Sequence, residues 1–131
     1  CIESTFPEIN RRHANLDIDA LIYLVNDGWY PRNPQLDQHA QRCIFRAIEN
    51  RRSIVRSANT GISAIINKKG ELIDKLPYNH KGTLRGYFST AKEITFYTQY
   101  GDYIARVSFL TMILIFLLAL SGRLKPNNFK K

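Results

Sequence analysis

The sequence predicts an α/β fold followed by one C-terminal transmembrane helix. Residues 20–25 are six apolar residues without alternation, which is typical of a strand buried on both faces of a helix-covered parallel sheet. Residues 33–50 place apolar side chains at helical spacing on one face. Residues 104–122 form an apolar run with one charge, Arg106, and about 28 Å of helix at that length is close to the thickness of a bilayer core.

The charge distribution favours a membrane surface over nucleic acid. The 131 residues include 19 Lys and Arg against 11 Asp and Glu, for a formal net charge of +8. Four of the basic residues lie within 123–131, which has no acid, so 15 basic and 11 acidic residues remain upstream. A short basic tail behind an apolar run is typical of a membrane protein. We therefore expect a membrane partner and no nucleic-acid partner.

Cysteine and histidine residues show no metal-ligand pattern. His13, His39 and His80 are scattered, and none has a partner His or Cys at the spacing of a metal site. Cys43 lies on the apolar face of the predicted helix, where we expect it to act as a small buried hydrophobe. We predict no metal site, no disulfide framework and no cofactor.

The chain begins with Cys1-Ile2-Glu3-Ser4-Thr5-Phe6-Pro7-Glu8. Proline suits the first turn of a helix, so we predict a helix over 7–14 with Phe6 and Ile9 toward the core. A cysteine on a sharp turn into a helix lies where the helix N-terminus and nearby amides favour a thiolate and a developing oxyanion. The segment is therefore a candidate nucleophile site.

The middle of the chain alternates strands and turns. Asn26-Asp27-Gly28-Trp29-Tyr30-Pro31 ends the first strand, and binding groups in open α/β sheets gather beyond the carboxyl ends of strands. Trp29 and Tyr30 are therefore candidates to line a substrate pocket, or alternatively they cover the edge of the core. Asn33 and Pro34 fit the cap and first position of the helix that follows. Further strands are predicted at 54–57, 62–66, 71–76 and 83–88, with a hairpin turn at 68–70 in which Gly70 takes a positive φ.

The N-terminal run resembles the nucleophile segment of the nitrilase, or carbon-nitrogen hydrolase, superfamily, which usually reads Cys-Tyr-Asp/Glu-x-Arg-Phe-Pro-Glu. The matching residues are Cys1, Glu3, Phe6, Pro7 and Glu8, whereas Ile2 and Thr5 replace the usual Tyr and Arg. The resemblance implies that Cys1 is the nucleophile, that Ile2 gives a backbone N–H to the oxyanion hole and that Glu3 is a supporting carboxylate. It also implies a C-terminal half of a nitrilase-like α-β-β-α sandwich.

Residues 26–31 and 55–63 resemble the apolipoprotein N-acyltransferase branch of that superfamily. Arg46-Ala47-Ile48-Glu49 resembles the Arg-Ala-x-Glu segment of the family, where we expect an ion pair that fixes the helix. About half of the fold precedes the cysteine in this superfamily, together with a glutamate base and a lysine. We therefore expect these residues to be the C-terminal portion of a longer protein, inactive alone, with a strand edge and an apolar face uncovered.

Two other hypotheses explain a cysteine at the first position of the sequence. A mature bacterial lipoprotein begins at Cys but continues into a polar tether, whereas Phe6, Pro7 and Ile9 begin a packed element at once. An N-terminal-nucleophile hydrolase uses the free amine of its first residue as the base.

Four segments follow from these patterns. We expect residues 1–95 to form the C-terminal part of a nitrilase-like catalytic domain, 96–103 an aromatic interfacial linker with Tyr97, Tyr100 and Tyr103, 104–122 the transmembrane helix and 123–131 a basic cytoplasmic tail. By the positive-inside rule the tail is cytoplasmic and Cys1 lies outside the cytoplasm. The resemblance implies a bacterial inner membrane, with the catalytic part on the periplasmic side.

The resemblance implies acyl transfer. A phospholipid gives an acyl chain to Cys1 as a thioester, and the N-terminal amine of an apolipoprotein accepts it. A membrane-anchored amidase of the same superfamily and an inactive truncated copy are the alternatives.

Overall fold

The structure is a computed structural model that describes residues 2–29, 31 and 33–122. The predicted roles of Cys1 and Tyr30 and the predicted tail 123–131 lie outside the described residues. The chain divides into two compact units, Cys1–Gly101 and Asp102–Lys131, and each is described by itself.

Within the described residues, the first unit contains one 3₁₀ turn, three helices and four strands. In chain order these are the N-terminal turn Ile2–Thr5, α1 Pro7–Ala14, β1 Ala20–Val25, α2 Pro34–Asn50, β2 Ser53–Ala58, β3 Ser63–Ile66, β4 Leu72–Leu76 and α3 Phe96–Tyr100. The predicted bounds of α1 and β1 are confirmed. Gly70 has φ +84°, as the predicted hairpin turn requires.

The four strands form one sheet in the order β1-β2-β3-β4. β1 pairs with β2 in parallel, from Ala20 opposite Ser53 to Val25 opposite Ala58. The β2–β3 and β3–β4 pairs are antiparallel and follow each other through short turns. A parallel pair needs a long crossover, which α2 supplies, and so the carboxyl ends of β1 and β2 meet at one edge of the sheet.

The core lies between α2 and one face of the sheet. Cys43 and Ala47 of α2 are fully buried against strand residues that alternate along β1, β2 and β3. The strand members of this cluster are Leu21, Tyr23, Val25, Ile54, Ala64 and Ile66. The predicted buried role of Cys43 is confirmed, and burial raises the pKa of its thiol.

The opposite face of β1 is uncovered in the part of the chain that the structure describes. Ile22 and Leu24 are 69% and 73% exposed, so the prediction that β1 is buried on both faces is wrong here. Side chains alternate along a strand, and α2 covers one face only. β1 is also an edge strand, and the expected uncovered edge and apolar face are therefore both present.

Residues 83–88 do not form the predicted strand. Instead, this segment crosses the face of the sheet opposite α2, from β4 to β2. Its close approaches are Gly82 to Leu76, Gly86 to Ile65, and the Ser53 hydroxyl, which donates to the Ser89 carbonyl at 3.1 Å. A segment that runs across the strands, and not alongside one of them, cannot form a ladder of backbone hydrogen bonds with the sheet. This holds even where its residues have a high β-propensity.

α1 packs through polar and small residues rather than through its predicted apolar ones. Asn10 and Ala14, one turn apart, are buried, whereas Phe6 and Ile9 are exposed, so their predicted core positions are wrong. Arg11 donates from Nη1 to the Thr98 carbonyl at 2.8 Å and so joins α1 to α3. α3 lies within the stretch predicted as a linker, and it is therefore packed as part of the first unit.

The N-terminus of α2 is capped as its sequence predicts. The Asn33 side chain accepts a hydrogen bond from the Gln35 backbone N–H at 2.9 Å, and Pro34 follows the cap. We expect Asn33→Ala to destabilise the protein by about 1 kcal/mol, because a helix N–H loses its acceptor. Thermal unfolding of the two variants Asn33→Ala and Gln41→Ala tests this, since Gln41 is exposed on the same helix. Equal midpoints for the two would contradict the assigned cap.

The second unit contains α4, Tyr103–Leu120, capped by Asp102, whose Oδ1 accepts from the Ala105 N–H at 3.1 Å. Its 18 residues have a mean hydropathy of 2.2, and none of them is buried. By length and composition this helix is apolar enough to cross a membrane.

Candidate active site

The candidate site lies at the carboxyl edge of the parallel pair β1 and β2. The loops that follow the two strands contact each other there: the Asn59 backbone N–H donates to the Val25 carbonyl at 2.9 Å, and its Nδ2 donates to Asn26 Oδ1 at 3.3 Å. Gly61 lies directly against the Asp27 side chain. The two segments that resemble the acyltransferase branch, distant in sequence, are therefore neighbours at one edge of the sheet.

An open groove of about 460 Å³ lies beside this edge. Its walls come from the N-terminal turn, the loop after β1 and the first turns of α2. They include Ile2, Thr5, Asp27, Trp29, Leu36 and His39. Trp29 is 80% exposed, so its ring is free to contact a bound molecule rather than closing the core. The groove thus combines apolar walls with polar groups, as ligand sites do.

A buried amide anchors the N-terminal turn to the sheet. Asn10 Nδ2 donates to the carbonyls of Glu3 and Phe6 at 2.7 and 2.8 Å. Its Oδ1 accepts from the Tyr23 hydroxyl of β1. Burial raises the pKa of Tyr23, which keeps that hydroxyl a donor. Asn10 therefore fixes the entry from the turn into α1.

A second set of contacts links the turn to α2, to the loop after β1 and to β2. The Ser4 hydroxyl lies 3.1 Å from His39 Nε2, and His39 Nδ1 lies 3.1 Å from Asp27 Oδ1. Arg56 Nη2 donates to Asp27 Oδ2 at 2.7 Å. These four residues, Ser4, His39, Asp27 and Arg56, are called the anchoring network below.

Arg56 is held in place by further contacts. Its side chain is fully buried, its Nε donates to the Ile62 carbonyl at 3.0 Å, and its Nη1 lies 3.9 Å from Cys43 Sγ. A buried guanidinium requires such partners, because an unpaired buried charge is costly. Arg56 and Asp27 thus form a fixed ion pair under the groove.

The surroundings of His39 favour one protonation state of its imidazole. Burial, and then the Arg56 charge, lower the pKa of His39, while the hydrogen bond to Asp27 acts in the opposite direction. The neutral imidazole is therefore favoured. Because a carboxylate only accepts, Nδ1 carries the proton and donates to Asp27, which leaves Nε2 to accept from the Ser4 hydroxyl.

Some of the predicted site residues lie within the described part of the chain, and others lie outside it. Ile2 and Trp29 both line the groove, and Glu3 is exposed in the N-terminal turn. Cys1 and Tyr30 lie outside the described residues. The predicted ion pair between Arg46 and Glu49 is confirmed, with Nη2 and Oε1 2.8 Å apart. In residues 2–29, 31 and 33–122, no group of three or more His, Cys, Asp or Glu is placed to hold a metal ion.

Sequence reasoning missed the anchoring network. Asp27 and His39 are separated by 12 residues and Ser4 and His39 by 35, so no local spacing connects them. One signal was available, because Asp27 follows the apolar strand β1 by two residues and Arg56 lies inside the strand predicted next to it. Opposite charges near one edge of a sheet predict an ion pair.

The chain was also compared with known proteins. The family model described as carbon-nitrogen hydrolase matches residues 1–91. The apolipoprotein N-acyltransferase of Thermotoga maritima is 33% identical over 123 residues, which are 93% of this chain and 24% of that protein. The enzyme of the same name from Geobacter metallireducens is 36% identical over 80% of this chain and 20% of its own length.

A third relative has a similar sequence identity and a similar coverage. The apolipoprotein N-acyltransferase of Photobacterium profundum is 32% identical over 95% of this chain and 25% of its own length. The chain thus spans about a quarter or less of each of these relatives. The family model, in contrast, covers more than half of the chain and includes the N-terminal turn, both parallel strands and the anchoring network. This chain belongs to the carbon-nitrogen hydrolase family.

Proposed function

We propose that this chain is the nucleophile-bearing part of a membrane-bound N-acyltransferase. Its activity is the transfer of an acyl chain from a phospholipid, through a thioester at Cys1, to the N-terminal amine of an apolipoprotein. The observation that carries the proposal is the likeness to enzymes of that name along 80 to 95% of the chain. The groove beside Ile2 supports it, because Ile2 directly follows Cys1.

The chemistry has two steps. In the first, the thiolate of Cys1 attacks the ester carbonyl of the phospholipid, a C–S bond forms, and the C–O bond breaks to release a lysophospholipid whose alkoxide takes a proton. In the second, the acceptor amine attacks the thioester, an amide forms, and the C–S bond breaks to return the thiolate. The amine loses its proton to a base. A thioester suits both steps because a thiolate attacks and departs readily.

Each site residue has a role in this scheme. The backbone N–H of Ile2 donates to the oxyanion that forms in both steps. Glu3 supports the site electrostatically, and Trp29 and Tyr30 bind the acyl chain or the lipopeptide. In the family, a glutamate base and a lysine that precede the cysteine complete the catalytic scheme. No described residue is assigned to replace them.

The finer architecture is part of the proposal. Residues 1–95 form the C-terminal half of a nitrilase-like α-β-β-α sandwich, 96–103 an interfacial segment, 104–122 a transmembrane helix and 123–131 a cytoplasmic tail. The mixed sheet and the apolar α4 support this division. The uncovered apolar face of β1, with Ile22 and Leu24, supports this architecture, because a sandwich needs an apolar face on which its second layer packs. The basic composition of residues 123–131 supports a periplasmic position for the catalytic part, at a bacterial inner membrane.

A product assay tests the proposal. Membranes containing the protein expressed from its complete reading frame are incubated with labelled phospholipid and a diacylated lipopeptide. We expect N-acylated lipopeptide and lysophospholipid in equal amounts. Free fatty acid without N-acylated lipopeptide would refute the transferase and favour a membrane-anchored amidase of the family. No product of either kind would favour an inactive copy.

A further inference from the structure

We propose that the anchoring network positions the nucleophile segment for acyl transfer. His39 and Ser4 are the positioning residues: they hold the N-terminal turn, and with it the Ile2 backbone, against the carboxyl edge of the sheet. This inference rests on the proposed function, and it assigns a role to two side chains that the catalytic scheme does not otherwise use.

The N-terminal turn is held through a buried side chain. Ser4 is fully buried although it lies three residues from Cys1 in a single turn whose neighbours Ile2 and Glu3 are exposed. A buried hydroxyl requires a partner, and the His39 imidazole supplies one at 3.1 Å. The turn is therefore tied to α2 at its centre.

The second step is rigidity. A histidine alone is a movable partner, but His39 is oriented by Asp27, which in turn is held by Arg56. Arg56 belongs to β2, in the middle of the sheet, and contacts the Ile62 carbonyl beyond it. Three successive contacts, from Ser4 to His39, from His39 to Asp27 and from Asp27 to Arg56, thus fix the position of the turn relative to β2. Fixed supporting contacts of this kind keep a reacting group in productive geometry.

The order Ser-His-Asp also occurs in hydrolase triads, where the serine attacks the substrate. Ser4 does not fit that role, because its side chain has no exposed surface. It cannot reach a carbonyl carbon in the groove without leaving its site. The geometry points to a positioning role rather than to a second nucleophile.

Two single variants and their combination test the proposal. His39→Asn keeps a side-chain N–H near the position of Nδ1, so it still donates to Asp27, but it is too short to reach Ser4. Ser4→Ala removes the same contact from the other end. The protein is expressed from its complete reading frame in membranes, and the rate constant of acyl-thioester formation at Cys1 and the KM for phospholipid are measured.

We expect each single variant to slow thioester formation on the order of 10- to 100-fold, with KM unchanged. The double variant should be no slower than either single variant, since both remove one shared contact. The matched controls are His13→Asn and Ser57→Ala, which change an exposed histidine and an exposed serine of the same unit. Rates equal to those of the controls would overturn the proposal, and so would multiplied effects in the double variant.

Failure of the proposed function is distinguishable from failure of this inference. If the unaltered protein forms no thioester, the acyltransferase proposal fails, and alkylation of Cys1 by iodoacetamide then tests the positioning alone. We expect both single variants to lower that alkylation rate by the same factor, whereas unchanged rates would overturn the inference. If His39→Asn does not accumulate in membranes, Ser4→Ala is compared with Ser57→Ala, and equal rates overturn it.

Discussion

Replacing Arg56 by alanine is expected to destabilise the protein by about 3 to 5 kcal/mol. The Arg56 side chain is fully buried and its ion-pair partner Asp27 is nearly so. Removing the guanidinium leaves the Asp27 carboxylate buried without its charge partner, together with the Ile62 carbonyl that accepted from Nε. The penalty of an uncompensated buried charge therefore adds to the lost hydrogen bonds.

The measurement is the thermal midpoint of the detergent-solubilised protein, together with its abundance in membranes, both of which should fall sharply. Arg85→Ala is the matched control, because Arg85 is exposed. If Arg56→Ala unfolds at the same temperature as Arg85→Ala, the pair does not stabilise the sheet edge as described here.

Gly61→Ala is expected to damage the same ion pair from the other side. A Cβ at this position would overlap the Asp27 carboxylate and lie 2.9 Å from its Cγ and 3.0 Å from its Cβ. Overpacking alone costs about 1 to 3 kcal/mol. Here the displaced atom belongs to a buried carboxylate, so the added methyl group also pushes Asp27 away from Arg56 and His39.

Gly82→Ala distinguishes this effect from a general cost of replacing glycine. The Cβ added at Gly82 would meet only the flexible end of Leu76, at 3.2 Å from Cδ1. We expect the thermal midpoint to fall clearly for Gly61→Ala and little for Gly82→Ala. A Gly61→Ala protein that keeps the midpoint of the unaltered chain would contradict the close approach of Gly61 to Asp27.

The local elements were predictable because local patterns determine them. The Pro7 position gave the start of α1, the Asn33-Pro34 pair gave the start of α2, and Gly70 gave the hairpin turn. The core face of α2 also followed from its periodicity, with Leu36, Cys43 and Ala47 buried. Each of these depends on residues close together in the chain.

Features that depend on distant partners were not predictable. An apolar run does not reveal that a strand has a covering helix on one face only, so the exposure of Ile22 and Leu24 was missed. The β-like composition of residues 83–88 does not reveal that this segment crosses the sheet. His39 is isolated in the sequence, whereas the groups that it contacts come from the N-terminal turn and from the loop after β1.

The most direct test of the central claim is a search for the acyl intermediate. The protein expressed from its complete reading frame is incubated in membranes with phospholipid, and the peptide that contains Cys1 is examined by mass spectrometry, with Cys1→Ala as the control. We expect an acyl adduct on Cys1 that is absent in the control and that a lipopeptide amine discharges. A folded protein without an adduct, or with one only on the buried Cys43, would contradict it.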